Sequence, residues 1–218
     1  MPDNTPQNRP TELTTSSNIA PIALAFELAL GVLAITIGYF VDLDPLQSIV
    51  TDEGHHSGGW FPAMIWGIAA TIPPAFCLLV LQHLQNRRIR DLNDLMRTQL
   101  IPLFKQSRVW ELALLSLAAG VGEELLFRGL LQTQISDWTN PLHRPWLPAT
   151  LTGITFGFCH YLSKTYAILA ALFGVYLGLL FFFTDNLIVP ITAHAAYDFF
   201  ALVYLVRIQT SQITKRGP

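Results

Sequence analysis

Two adjacent carboxylates stand ahead of an arginine in Gly122-Glu-Glu-Leu-Leu-Phe-Arg128, within a stretch that is otherwise apolar. On a helix, residues four apart share a face, so Glu124 and Arg128 can form an ion pair. Glu123 is turned about 100° away and can point into a different space. One carboxylate suffices to neutralise the arginine. Glu123 is therefore the candidate for chemistry, as a general base acting on water. Two further clusters carry ionisable groups in apolar surroundings: Phe156-Gly-Phe-Cys-His160 and His194-Ala-Ala-Tyr-Asp198. The plain reading of His160 is a hydrogen-bonded packing residue, and that of His194 with Asp198 a local hydrogen bond across one helical turn. Taken together, a carboxylate, two histidines and a second carboxylate from three segments can do more. They can activate water directly, or hold a divalent metal such as zinc with one position open. Glu123, His160 and His194 are the candidate ligands in the second case. Glu27 stands alone in a further apolar segment.

The elements that must position these groups are long apolar runs. They span roughly Ile19–Phe40, Trp60–Leu81, Val109–Leu131, Trp146–Leu162, Tyr166–Phe183 and Asn186–Val206. A helix needs roughly 20 mostly apolar residues to cross a bilayer. The fourth and fifth runs are short, and a core or re-entrant helix is an alternative for either. The fold expected is all-α: a polytopic transmembrane bundle of about six spans. Composition agrees, since 51% of the residues are hydrophobic and 13% charged, against roughly 25% charged in soluble domains. A polar tail is expected over residues 1–18, a membrane-embedded helical domain over 19–207 and a second polar tail over 208–218. Pro73-Pro74 should kink or break the second run. Gly153 and Gly157 have the spacing that allows close helix approach, which could carry His160 toward the third run.

Charge distribution orients the bundle. With the N-terminus cytosolic, every lysine and arginine except Arg128 and Arg144 falls on the cytosolic side, as the positive-inside rule requires. Both termini are then cytosolic. Between the second and third runs, Leu84, Ile89, Leu92, Leu95, Met96 and Leu100 recur at helical spacing among charged residues. This suits an amphipathic helix at the cytosolic interface, or a solvated connector. A net charge of -2 argues against a nucleic-acid partner. Cys77 and Cys159 form no metal-binding spacing and read as buried free thiols.

The ordered set Glu123-Glu124-Leu-Leu-Phe-Arg128, Phe156-Gly-Phe-Cys-His160 and His194-Ala-Ala-Tyr-Asp198 resembles the EExxxR, FxxxH and HxxxN/D motifs of the CAAX prenyl protease and bacteriocin-processing (CPBP) family of intramembrane endopeptidases. The resemblance covers roughly residues 105–206. It implies that Glu123 activates the attacking water and that His160 helps to position it. Glu124 and Arg128 would be the supporting pair, with Phe156 beside them. His194 would serve an oxyanion hole or a metal site. Asp198 holds a position often occupied by Asn; an ionised Asp cannot donate to an oxyanion as an amide does, so it must be protonated, act through His194 or bind a cation. Metal-dependent and metal-independent mechanisms both stay open. The activity expected is intramembrane cleavage of a peptide or protein substrate, prenylated ones among those implied. The alternatives are a non-catalytic membrane interaction protein on the same fold, such as a self-immunity or assembly factor, and a proton or ion relay through Glu27, Glu123, Glu124 and Asp198.

Overall fold

The computed structural model describes residues 19–50, 59–84, 86–139 and 146–209. The expected tail at 1–18 lies outside the described residues, as do Arg144 and residues 210–218 of the tail expected over 208–218; the first two residues of that second tail instead end a π-helical segment, Tyr204–Gln209. The described residues are helical almost throughout. The principal helices are α1 (Ala20–Val41), α2 (Trp60–Ala70), α3 (Ile72–His83), α4 (Arg87–Leu95), α5 (Val109–Glu124), α6 (Trp146–Cys159), α7 (Lys164–Thr184) and α8 (Ile188–Val203). The second apolar run breaks at Thr71, so that Pro73 and Pro74 fall in the first turn of α3. There their missing N–H groups cost nothing, because first-turn amides have no intrahelical partner. The third run is longer than expected. It continues from α5 through a π-helical segment, Leu125–Gln132, to a last helical piece, Thr133–Thr139. The wide turns begin directly after Glu124, and π segments of this kind are frequent at functional sites.

The polarity of the bundle is that of a membrane protein. Large apolar side chains face outward: Ile22 is 73% exposed, Phe61 73% and Phe158 71%. Glu124 and Arg128 meanwhile have no exposed surface. Hydrocarbon around the bundle removes the cost of the exposed apolar faces, and buried ionisable groups must then pair inside. Among the described residues, four helices are long and apolar enough to cross a membrane: Ala20–Phe40, Trp60–His83, Lys164–Thr184 and Ile188–Arg207. The other two expected segments fall outside that criterion for physical reasons. The third run carries Glu111, Glu123, Glu124 and Arg128, and the fourth forms a helix of only 14 residues.

Helix α5 is central, packed against α1 on one side and α8 on another, while α6 pairs closely with α7. Two expectations change here. Gly153 and Gly157 do not face the third run: a methyl group on either would run into Val175, Ala167 or Ala171 of α7. These glycines seat α6 on α7. The contact with the π extension of the third run is made by Phe156, against Phe127 and Arg128, and by Thr152, against Gln132. His160, moreover, is not within a helix but just beyond the end of α6. The amphipathic segment is helical as expected, with Ile89, Leu92 and Met96 buried and Arg87 and Asp91 exposed. Leu84 departs from the pattern: it ends α3 and is exposed. Cys77 and Cys159 are exposed on the bundle rather than buried.

Candidate active site

Glu123 lies in the last turn of α5, 6% exposed, with its Oε2 3.7 Å from Nε2 of His160. The position of His160 follows from Phe156, one turn earlier. The two rings stack with centroids 4.2 Å apart, and His160 Nδ1 donates to the Phe156 carbonyl at 2.9 Å. A carbonyl only accepts, so this bond places a proton on Nδ1 and leaves Nε2, in the neutral ring, with a lone pair. A neutral His160 and an ionised Glu123 thus present two acceptors toward one small space. A water molecule can satisfy both by donating its two protons, which turns its own lone pairs outward.

The neighbouring network is assembled from four elements. Glu124 Oε1 accepts from Arg128 Nη1 at 2.7 Å and from His194 Nδ1 at 2.8 Å. Arg128 Nη2 donates in turn to the Gly174 carbonyl of α7 at 2.7 Å. His194, 2% exposed on α8, directs its other nitrogen to Asp198, with Nε2–Oδ2 3.5 Å. The arginine also lies over the Phe156 ring, 5.2 Å from its centroid. Glu124 and Arg128 therefore tie α5, the π segment, α7 and α8 together, as charge-assisted bonds can in a medium of low dielectric. Of the three options for Asp198, the geometry favours action through His194.

Glu123, Phe156, His160, His194 and Asp198 all line one cavity of about 510 Å³. Its remaining wall is mostly apolar and includes Pro73 and Pro74 of α3, and Leu92 and Met96 of the amphipathic segment. Charge and aromatic stacking meet at Glu123, Phe156 and His160, and hydrocarbon side chains supply most of the remaining lining. The cavity also admits a residue the motifs do not contain. Glu27 of α1 lines it as Glu123 does, and its backbone carbonyl lies against Gly122, next to Glu123. The available sequence signal was a carboxylate alone in an apolar helix, with nothing to name its partner. Tyr166 and Tyr197 reach the same cavity without a motif of their own on which to suspect Tyr166.

The metal option was tested against the donor set. Among the described residues, no three His, Cys, Asp or Glu side chains gather to hold one ion. His194 Nδ1 is committed to Glu124 and its Nε2 faces Asp198, while His160 Nδ1 is committed to a carbonyl. Glu123, His160 and His194 do not fit a preformed three-ligand site.

Comparison with known proteins agrees with the motif-based resemblance. Residues 105–200 match the family described as Rce1-like, type II CAAX prenyl endopeptidase Rce1-like. The matched segment contains all three motifs. An uncharacterized protein of Bacillus subtilis (strain 168), YpbD, is 34% identical over 99 residues, which are 44% of this chain and 46% of that protein. The chain thus spans under half the length of the curated relative it matches. No solved structure matches it.

Proposed function

We propose, from the Rce1-like segment at residues 105–200 and the cavity it lines, that this chain is an intramembrane endopeptidase that hydrolyses a peptide bond with water activated by Glu123. The observation that carries the reading is the pair of facing acceptors, Glu123 Oε2 and His160 Nε2, 3.7 Å apart at the polar end of an apolar cavity. Water held between them by its protons directs a lone pair at a carbonyl carbon. Glu123 takes one proton as the new C–O bond forms, the role a positioned base performs. The developing oxyanion needs a donor. Nδ1–H of His194 is engaged by Glu124, so an oxyanion can be served only through Nε2–H, in the doubly protonated ring that the Asp198 carboxylate accompanies. Glu124, Arg128 and Phe156 position these groups and touch no reacting atom.

The apolar wall suits a substrate segment that leaves its own helix in the bilayer, or one bearing a lipid chain. The substrate class is a peptide or protein, and prenylated substrates are those the family description names. Both termini lie on the cytosolic side in this reading, with the amphipathic segment at that interface. No step runs through a metal ion.

The test is cleavage of a library of apolar peptides by purified protein in lipid vesicles, with and without a chelator. Cleavage that persists under chelation supports water activation by side chains alone. Cleavage abolished by chelation and restored by a divalent ion would overturn the mechanism. No cleavage of any peptide, prenylated ones included, would favour a membrane interaction protein on the same fold.

A further inference from the structure

We propose that Glu27 is a second carboxyl group of the reacting centre, sharing one proton with Glu123 and donating it to the amine that leaves. The inference rests on the endopeptidase reading above and adds a catalytic residue to it from outside the matched segment.

Helix α1 carries Glu27, Gly31, Ala34 and Gly38 at positions that recur every turn or two, and the last three are buried. At Glu27 and Gly31 this stripe lies on α5 at very short range, while Gly38 meets Leu43 and Pro45. The nearest atom to a methyl group placed on Gly31 is the Gly122 Cα, at 3.5 Å, and one placed on Gly122 would strike the Glu27 carbonyl oxygen. Paired glycines therefore bring two backbones together directly beside Glu123, and Glu27 must enter the same cavity. Glu27 Oε2 and Glu123 Oε2 are both buried and neither has a hydrogen-bond donor among the described residues. Two carboxyl groups that line one cavity from helices this close can bond to each other only if one of them holds a proton. Among the described residues the nearest cationic groups are already engaged, Arg128 by Glu124 and the Gly174 carbonyl and His194 by Glu124 and Asp198. Carboxyl pairs that share one proton are an established device for splitting acid and base roles between two like groups.

The step balances. Glu123, ionised, accepts a proton from water as its oxygen bonds to the scissile carbonyl carbon. On collapse the C–N bond breaks and its electron pair stays on nitrogen, which takes the proton held by Glu27. The proton gained by Glu123 is then shared with the newly ionised Glu27, and the pair is restored.

A role as a simple pin between α1 and α5 makes a different forecast. Glu27→Gln keeps a donor toward Glu123 but has no proton to release. The test uses one peptide chosen from the library, made with either an amide or a thioester at the cleaved bond. A thiolate leaves without protonation because its conjugate acid is far stronger than an amine; free cysteine has a pKa of about 8.5. For Glu27→Gln, kcat on the amide should fall about 10²-fold or more with KM little changed, while thioester hydrolysis is retained. Loss of both activities would reduce Glu27 to a structural pin, and retention of both would remove it from the mechanism; either overturns the proposal. Glu123→Gln, run alongside, separates this from the parent reading. If Glu123→Gln is inactive and Glu27→Gln fully active on the amide, Glu27 alone is refuted. If Glu123→Gln is as active as wild type, both fall.

Discussion

At the residue scale, the division of labour between two adjacent glutamates is the centre of the site. Glu124 has no exposed surface and is bonded by Arg128 and His194, so the proposed mechanism gives it a structural role. Removing one member of a buried pair leaves the other uncompensated, at a cost of about 3–5 kcal/mol. Arg128→Met should therefore lower the thermal midpoint in detergent by far more than any change at His160. Among the described residues, the His160 side chain rests on Phe156 and faces Glu123. His160→Ala should accordingly reduce kcat about 10²-fold or more while the melting transition stays close to that of wild type. A matched loss of stability would show that His160 is a packing residue. The split between Glu123 and Glu124 was legible because helical geometry alone turns neighbours apart. The place of Glu27 was not, since nothing local links it to Glu123 in the distant third run; only the crossing of α1 on α5 does so. The end of α6 before His160 was equally hidden, because apolar residues continue past it to Leu162.

Among the elements, glycine positions decide which helices meet. The small-residue spacing in α6 was visible, but spacing does not say which neighbour it serves, and Gly153 and Gly157 proved to face α7. Gly122 is the sharper case, because the atom that a methyl group would strike is the Glu27 backbone carbonyl, which cannot swing aside as a side chain can. Gly122→Ala should cost about 1–3 kcal/mol, as overpacking does, and should lower activity by displacing α1 from Glu123. Thermal unfolding together with peptide cleavage measures both. Unchanged values in each would mean that the α1–α5 approach is looser than described. The break at Thr71 was half legible: two prolines forbid a regular helix interior, but not whether the chain kinks or starts anew.

For the whole molecule, apolar runs and charge asymmetry yield an all-α membrane bundle before any contact is known. They do so because lipid permits little besides helices and closed barrels. Two of the six runs are not spans by apolarity and length alone, since the third carries buried charge and the fourth forms a short helix. Orientation is a separate matter and has a direct check. With Cys77 and Cys159 replaced by Ser, a Gln99→Cys variant should react with an impermeant maleimide only from the cytosolic side, Gln99 being exposed on the amphipathic segment. Labelling from the opposite side would invert the topology. The cavity, by contrast, could not be read from the sequence: its apolar wall draws on α3, the amphipathic segment and α7, which share no motif.

The most direct measurement is kcat/KM for one library-derived peptide with wild type and Glu123→Gln, both reconstituted in vesicles and shown to unfold at comparable temperatures. The expected result is a drop of about 10²–10⁴-fold, the usual worth of a positioned base, in a protein that is otherwise intact. Equal turnover by the two proteins would contradict water activation by Glu123, however well the surrounding helices are placed.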